Sequence, residues 1–518
     1  MVKRAGGALL QSIAIDRASS RTIGAQLASA LRDLILTGSL KAGERLPASR
    51  TLANDLGIAR TTVIDTFEQL ASEGLLESRI GAGTFVSQAL NAERPLAAER
   101  RGAVEPVARA RVAQSMSAAT GRFVRRLPHE PRAFTTAMPA FDAFPLAQWS
   151  RLAAKHWRSP RHGTLGYGEP QGYRPLRQAI AAHLRANRGI VCDWRQIFVV
   201  AGAQNAFQLI AGALVDPGDL VWFENPGAIG ARNSLVLAGA ELVSVPVDDN
   251  GLVVEQGLAA APRFKLAFVT PAHQQPLGAK MSLERRFALL QAAEAARAWI
   301  IEDDYDGEFC FDGRPLPALK GIDATGRVIY VGTFSKSLFP SLRLGFFVAP
   351  PALMATFETA LGAFSPGVPT SLQAIVSDFI AEGLFATHIR RMRKLYAERH
   401  QVFLDAARAR LAEWLDVVPT TTGLHTVGLL RAGLVGADVA AAAAQRGLTV
   451  APISRFCIEP IAAEGLVLGF SGITPAQIKA GVAVLAEVLA DCAHRVDAIG
   501  RTERKPAPSF PAGIAKMV

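Results

Sequence analysis

Only four cysteines, Cys192, Cys310, Cys457 and Cys492, occur in 518 residues, and no two form a CxxC pair. That spacing supports neither a zinc site nor a disulfide framework, so free core thiols and no metal are expected. Also missing is any run of about eighteen uncharged apolar residues, the length needed to span a bilayer. The opening MVKRAGGALLQSIAIDRASSR has no convincing apolar core or cleavage site of a secretory signal. A cytoplasmic chain with no membrane partner is therefore expected. No solenoid-type repeat is present. Acidic residues are in deficit, 45 against 56 lysines and arginines, for a net charge of +11. Net charge alone argues only weakly for a polyanionic partner, so the placement of the charges matters more. What is present is a chain half apolar and 19% charged, as in a globular protein with a sizeable core. Its length exceeds one ordinary domain, and one small domain beside one large one is expected.

In TIGAQLASALRDLILTGSL the residues Ile23, Leu27, Leu31 and Ile35 recur every four positions, which predicts an amphipathic helix that Gly38 helps to end. Ser49 is placed to cap a short helix running to Leu56, Gly57 supplies a tight turn, and a second helix is expected from about Arg60 to Glu73. This is a helix-turn-helix, with Arg60, Thr61 and Thr62 opening the second helix, where base edges and phosphates are reached. After Gly74 an alternating segment turns at Gly81 to Gly83 and alternates again through Phe85 and Val86, which predicts a wing. The order LPxSRxLAxxLG, RTTV, LxxEGLL, RxGxGTFV closely resembles the winged helix of GntR-type bacterial regulators. That resemblance implies that Ser49, Arg50, Arg60, Thr61 and Thr62 approach the major groove of double-stranded operator DNA. Arg79 and the turn around Gly81 and Gly83 would approach its backbone and minor groove.

Residues 1–20 read as an N-terminal arm, 21–88 as the winged helix, and 89–134 as a flexible basic linker, arginine-rich with no sustained amphipathic period. The linker is either a solvated tether or one that also touches phosphate. From 135 to 495 helix-length segments alternate with β-rich runs such as IFVVAG, LVWFENPG, LAFVTPAHQ, WIIEDDYD, VIYVGTFSK and GFFVAP. This is an α/β pattern with a largely parallel sheet buried on both faces. Residues 496–518 read as a disordered tail.

Polar residues cluster at the carboxyl ends of those runs, where ligands gather in such sheets. Lys336 lies in GTFSKSLFPSLR, seven residues before Arg343. An amine near a cation and partly desolvated becomes a nucleophile towards an aldehyde. Pyridoxal 5'-phosphate would supply that aldehyde, with a ring nitrogen that wants a carboxylate and a phosphate that wants arginine and N–H donors. Asp303 suits the nitrogen, and Tyr305, on the same side of an extended chain, suits the ring hydroxyl. Thr333, Ser335 and Arg343 suit the phosphate, as do the amides of Gly202, Ala203 and Gln204 at a helix start.

Residues 135–495 look like a fold-type I aminotransferase domain, and the fusion behind a GntR-type winged helix resembles the MocR family of pyridoxal-phosphate-dependent regulators. The resemblance implies Lys336 as the aldimine lysine, Asp303 at the pyridine nitrogen, Tyr305 at the ring hydroxyl, and Thr333 with Arg343 at the phosphate. Gln275 stands where the fold usually has an asparagine beside the ring. Tyr167, in GYGEPQGY, would enter the neighbouring subunit's phosphate site, which implies a homodimer. The implied function is a DNA-binding regulator that senses pyridoxal phosphate or an amine or amino-acid ligand. The alternative is an active aminotransferase with an appended DNA-binding module. Three departures weigh against turnover: Ala228 where a ring would stack on the pyridine, Leu277 where a threonine is usual, and Val467 where an arginine would clamp a substrate carboxylate.

Overall fold

The computed structural model describes residues 13–79, 81–89, 112–125, 130–158, 165–311, 317–364, 367–431 and 433–500. The chain divides into two compact units, Met1–Arg111 and Val112–Val518.

In the first unit, helix α1 (Ile23–Leu36) is capped by Thr22, whose side chain accepts from Ala25 N, and it buries Leu27, Ala28, Leu31 and Ile35. Ile23, in the first turn, is only half-buried. Helix α2 (Ser49–Leu56) ends at Gly57, whose φ of 63° is left-handed and open to glycine without strain. Ser49 is not its cap: Ala48 holds that position with no side-chain bond, and Ser49 lies inside the first turn. Helix α3 (Arg60–Ser72) follows, then strands β1 (Leu76–Arg79) and β2 (Gly83–Val86), paired antiparallel from Leu76 with Val86 to Arg79 with Gly83. Leu27, Leu31, Leu52, Val63, Leu70 and Val86 form the fully buried centre. Each such side chain stabilises the unit by about 1.5–3 kcal/mol relative to its exposed form. Part of the expected arm belongs here too: Ile13 is buried in this core, and the Arg17 guanidinium donates to Gly57 O at 2.6 Å. Residues 1–12 of the arm lie outside the described residues.

The second unit is built on an eight-stranded sheet in the order β3-β10-β9-β8-β7-β4-β5-β6. These strands are β3 (Ile197–Val200), β4 (Leu220–Asn225), β5 (Glu241–Asp248), β6 (Gly251–Leu252), β7 (Leu266–Val269), β8 (Trp299–Asp304), β9 (Val328–Thr333) and β10 (Gly345–Val348). The run from β9 through β5 is parallel, and β10 lies antiparallel between β3 and β9. Strand β9, VIYVGT, is buried along its whole length, as a strand covered on both faces must be. All strands except β6 and β10 run the same way, so their carboxyl ends share one edge. A smaller antiparallel sheet, in the order β11-β12-β14-β13, comprises β11 (Leu415–Val417), β12 (His425–Leu430), β13 (Ala451–Pro452) and β14 (Gly465–Gly469).

The linker reading is corrected over its second half. Helix α4 (Gln114–Thr120) and the residues after it pack on the large unit. Val124 N donates to Asn233 Oδ1 at 3.1 Å and Asn233 Nδ2 returns a bond to Val124 O at 2.9 Å. Phe134 is fully buried and its carbonyl accepts from Gly469 N at 3.0 Å. These segments are held by backbone pairing and one anchoring ring, which leave no amphipathic period in the sequence. The tail boundary also moves, because the last helix runs Pro475–Gly500. Residues 90–111, 126–129 and 501–518 lie outside the described residues.

Candidate functional site

The short helix α8 (Phe334–Ser337) turns straight off β9, with Thr333 Oγ1 accepting from Ser335 N at 3.2 Å. Upstream of it lie helices α5 (Arg174–Arg188), α6 (Ala203–Leu214) and α7 (Ile229–Leu237). On α8 the Lys336 Nζ donates to Ala137 O at 3.0 Å. At the end of the adjacent strand Asp303 is 4% exposed, and its Oδ1 has no hydrogen-bond partner. Burial drives its pKa well above the usual carboxylate range, helped by Asp304, Asp306 and Glu224, while the Lys336 ammonium pulls it back. Tyr305 is also buried, and burial first, then Asp306 and Asp303, keep its phenol protonated.

The Tyr305 hydroxyl lies 3.0 Å from His273 Nδ1, which is 2.9 Å from Asp306 Oδ2. With the Nδ1 proton donated to that carboxylate, Nδ1 has no lone pair left to accept from the Tyr305 hydroxyl. Its own proton is then left for another acceptor. Neighbouring Glu224 is pushed up to about 7 by burial, although Thr270 Oγ1 donates to it at 2.6 Å. His425, whose Nε2 is 3.1 Å from Pro276 O, is lowered to about 4 by burial. His273, Asp306 and His425 bring ligand-type atoms within 4.8 Å of one another, a trio the sequence reading did not single out. The Nδ1 of His273 in that trio is already committed to Asp306 and Tyr305.

A second cluster forms where β3 ends. Gly202, with φ of 86°, opens α6 with no side-chain cap bond, and Ala203 and Gln204 form the first turn of that helix. Gly345 permits this turn to come close, since a Cβ there would lie 2.9 Å from Gly202 Cα. The Arg343 guanidinium carbon lies 4.0 Å from where a Gly202 Cβ would be. The Gln204 side chain turns away, donating to Gly230 O at 3.0 Å and Ser234 Oγ at 2.5 Å, so only its backbone faces this end. Gln275 precedes a proline and is half-buried; its N donates to Thr270 Oγ1 at 3.0 Å. The better-connected amide is Gln274, bonded to Glu224 and Pro226 O. Tyr167 is 95% exposed.

On the small unit, Arg50, Arg60, Thr61, Arg79, Gly81 and Gly83 are exposed, and Ser49 and Thr62 are half-buried. Arg60 Nε reaches Ser49 Oγ at 3.4 Å, which joins the starts of α2 and α3. Thr62 is turned towards α1: a Cβ on Gly24 would lie 3.5 Å from its methyl group. Arg79 bonds Glu77 at 2.6 Å and stacks on Phe85 at 4.8 Å. Arg45, not singled out in the sequence, packs its guanidinium over Gly83 in the wing.

Residues 23–86 match the family of bacterial regulatory proteins called gntR, and residues 140–485 match aminotransferase class I and II. The chain is 43% identical over 474 residues to the probable rhizopine catabolism regulatory protein MocR of Rhizobium meliloti, covering 91% of this chain and 94% of that protein. The chain belongs to the MocR family of transcriptional regulators. This MocR-type regulator is also 31% identical over 458 residues to the pyridoxine biosynthesis regulator PdxR of Corynebacterium glutamicum, with 88% and 94% coverage. Among solved structures its large unit is similar to the multiple substrate aminotransferase of Thermococcus profundus. The TM-score is 0.65 at 27% identity, over 74% of this chain and 96% of that one. Its class is thus DNA-binding transcription regulation, with an aminotransferase fold carried as a second domain.

Two residues singled out in the sequence, Ala228 and Val467, are buried apolar side chains. Ala228 is 3% exposed, precedes α7 and offers no ring. Val467 is 1% exposed on β14. Among the described residues, no helix is long and apolar enough to cross a membrane, and the four cysteines are free.

Proposed function

We propose that the large domain binds pyridoxal 5'-phosphate at these strand ends, and that the cofactor, or an amine ligand meeting it, sets how the winged helix engages operator DNA. The observation that carries this reading is Asp303, a buried carboxylate with one orphan oxygen beside Tyr305 and within the field of Lys336. A cationic ring nitrogen would satisfy that oxygen and return the carboxyl to its charged form. The start of α6 beside Arg343 suits a phosphate, Thr333 is in register with Gly345 next to it, and Ser335 would add a second hydroxyl. Gln275 would flank the ring. When bound, the cofactor supplies an aldehyde carbon that condenses reversibly with a primary amine. Lys336 would hold it, Tyr305 would donate to its ring oxygen, and Asp303 would fix its orientation. The exposure of Tyr167 fits a side chain that completes the phosphate site of a second copy, so the working unit is a homodimer.

A ligand shifts DNA affinity only through different affinity for the arrangements that hold the two winged helices. Ser49, Arg50, Arg60, Thr61 and Thr62 are assigned to the groove and Arg79, Gly81 and Gly83 to the backbone. The test is Lys336→Ala: cofactor should wash out on dialysis, seen as loss of visible absorbance, and DNA binding should stop responding to cofactor. Unaltered DNA affinity and ligand response would remove the sensing role.

A further inference from the structure

A cavity of about 70 Å³ lies between α5, the residues Gly307 and Glu308, and the helix Leu384–Arg410, and none of the residues assigned to the cofactor lines it. It has room for a few waters or one small ion. Arg188, the last residue of α5, lines it and is 3% exposed. Its guanidinium is held through two of its three nitrogens: Nη2 pairs with Asp304 Oδ2 at 2.5 Å, and Nη1 donates to Gly307 O at 3.3 Å. Glycine admits this close passage, since a Cβ on Gly307 would lie 2.8 Å from Nη2. The third donor, Nε–H, is buried and has no partner.

His183, five residues earlier on α5, lines the same cavity. Asn187 Nδ2 donates to His183 O at 3.1 Å and faces His183 Nδ1 at 3.2 Å. An amide nitrogen only donates, so Nδ1 accepts and the imidazole proton sits on Nε2. Burial lowers the pKa of this ring to about 4, which keeps it in that neutral form at neutral pH. Its Nε2 is buried without a partner, 4.0 Å from Glu308 Oε1. Two N–H donors of one cavity therefore lack acceptors. Arg390 and Arg393, on the helix wall, add two cations, and among the described residues neither has a carboxylate within ion-pair distance. Arg393 Nε donates to Glu308 O at 2.5 Å, a neutral partner. Glu308 is the one carboxyl among the described lining residues, and burial, then Asp304, push its pKa up, so it offsets only part of that charge. Water in the cavity could accept from the donors but would leave the positive charge standing. A small anion answers both.

We propose that this cavity binds a small oxyanion, a carboxylate or phosphate group, with His183 Nε2 and Arg188 Nε as donors and Arg390 and Arg393 as counter-charge. The inference is independent of the cofactor reading. It is tested on the full-length protein by isothermal titration calorimetry with sodium acetate and, separately, sodium phosphate. Ionic strength is held constant with sodium HEPES, whose anion is too large for the cavity. One or both ions should bind saturably, and the arm that responds tells a planar group from a tetrahedral one. His183→Phe keeps a ring against Phe385, which His183 meets edge-on at 5.2 Å, and removes the donor; it should weaken binding about tenfold. Arg390→Gln, at an exposed position, should weaken it about two- to fivefold. Arg343→Ala, at the end assigned to the cofactor phosphate, should leave it unchanged. Circular dichroism checks each fold, and Arg390→Gln decides alone if His183→Phe does not fold. Absence of saturable binding by either ion overturns the proposal. So does unchanged affinity in the folded His183 and Arg390 variants, or binding abolished by Arg343→Ala, which would place the ion at the other end.

Discussion

Asp303→Asn separates the cost of a buried carboxylate from its use. Without cofactor, the folded pKa of Asp303 lies well above its unfolded value, chiefly through burial. A raised acid binds more protons when folded than unfolded. Its favourable contribution is therefore full below the ordinary carboxylate range and is lost as pH rises through the folded value. Asparagine keeps the shape and removes the charge. The cofactor-free variant should equal the native chain in thermal midpoint below about pH 4 and exceed it increasingly as pH rises towards about 8. The magnitude at pH 8 is about 1–3 kcal/mol, the cost of one buried polar group left without a partner. With cofactor the order reverses, because a charged hydrogen bond of about 1.5–3 kcal/mol is lost. That loss should weaken pyridoxal phosphate binding by about 10–150-fold. Scanning calorimetry across pH and absorbance titration with cofactor measure the two halves. A variant less stable than the native chain at pH 8 without cofactor, and binding cofactor equally well, would refute the reasoning.

Asp304, one residue on and facing the other way, has a purely structural part: it pairs with Arg188 at 2.5 Å, both nearly fully buried, and accepts from Tyr330 at 2.6 Å. Asp304→Ala should destabilise the large unit by about 3–5 kcal/mol, because a buried guanidinium loses its counter-charge; denaturant titration checks this, and a loss under about 1 kcal/mol would contradict it. On the small unit Arg60→Ala should weaken binding to a selected operator by about 1–3 kcal/mol where the contact is a bidentate base contact. It should leave the fold intact, since Arg60 is exposed and its bond to Ser49 is long at 3.4 Å. Gel-shift titrations at two salt concentrations read both effects, and an unchanged footprint would count against the assignment.

Much of this architecture was legible along the chain. VIYVGT is a nearly continuous apolar run and WIIEDD opens on one, as expected of strands that a doubly covered parallel sheet buries, and Gly57 marks the helix-turn-helix because a left-handed turn is open to it at no cost. The residues expected at the strand ends do lie there, because strand direction alone puts them on one edge. Segments whose order comes from distant partners were not legible. Residues 112–125 read as a tether since Asn233, 109 positions from Val124, is what holds them. Ser49 read as a cap because spacing cannot say which residue is the first with helical geometry.

Local patterning of apolar residues and turn formers thus determined by itself that this chain has a winged helix, an α/β domain, and a lysine, an aspartate and a tyrosine at neighbouring strand ends. Only the tertiary structure decided that Asp303 keeps an orphan oxygen, that His273 and Asp306 hold Tyr305, and that Val467 joins Leu277 and Ile229 in one apolar cluster. The reason is range: periodicity reports forces acting over a few residues, whereas desolvation and hydrogen-bond partnership depend on groups that the folded sheet brings together from far along the chain.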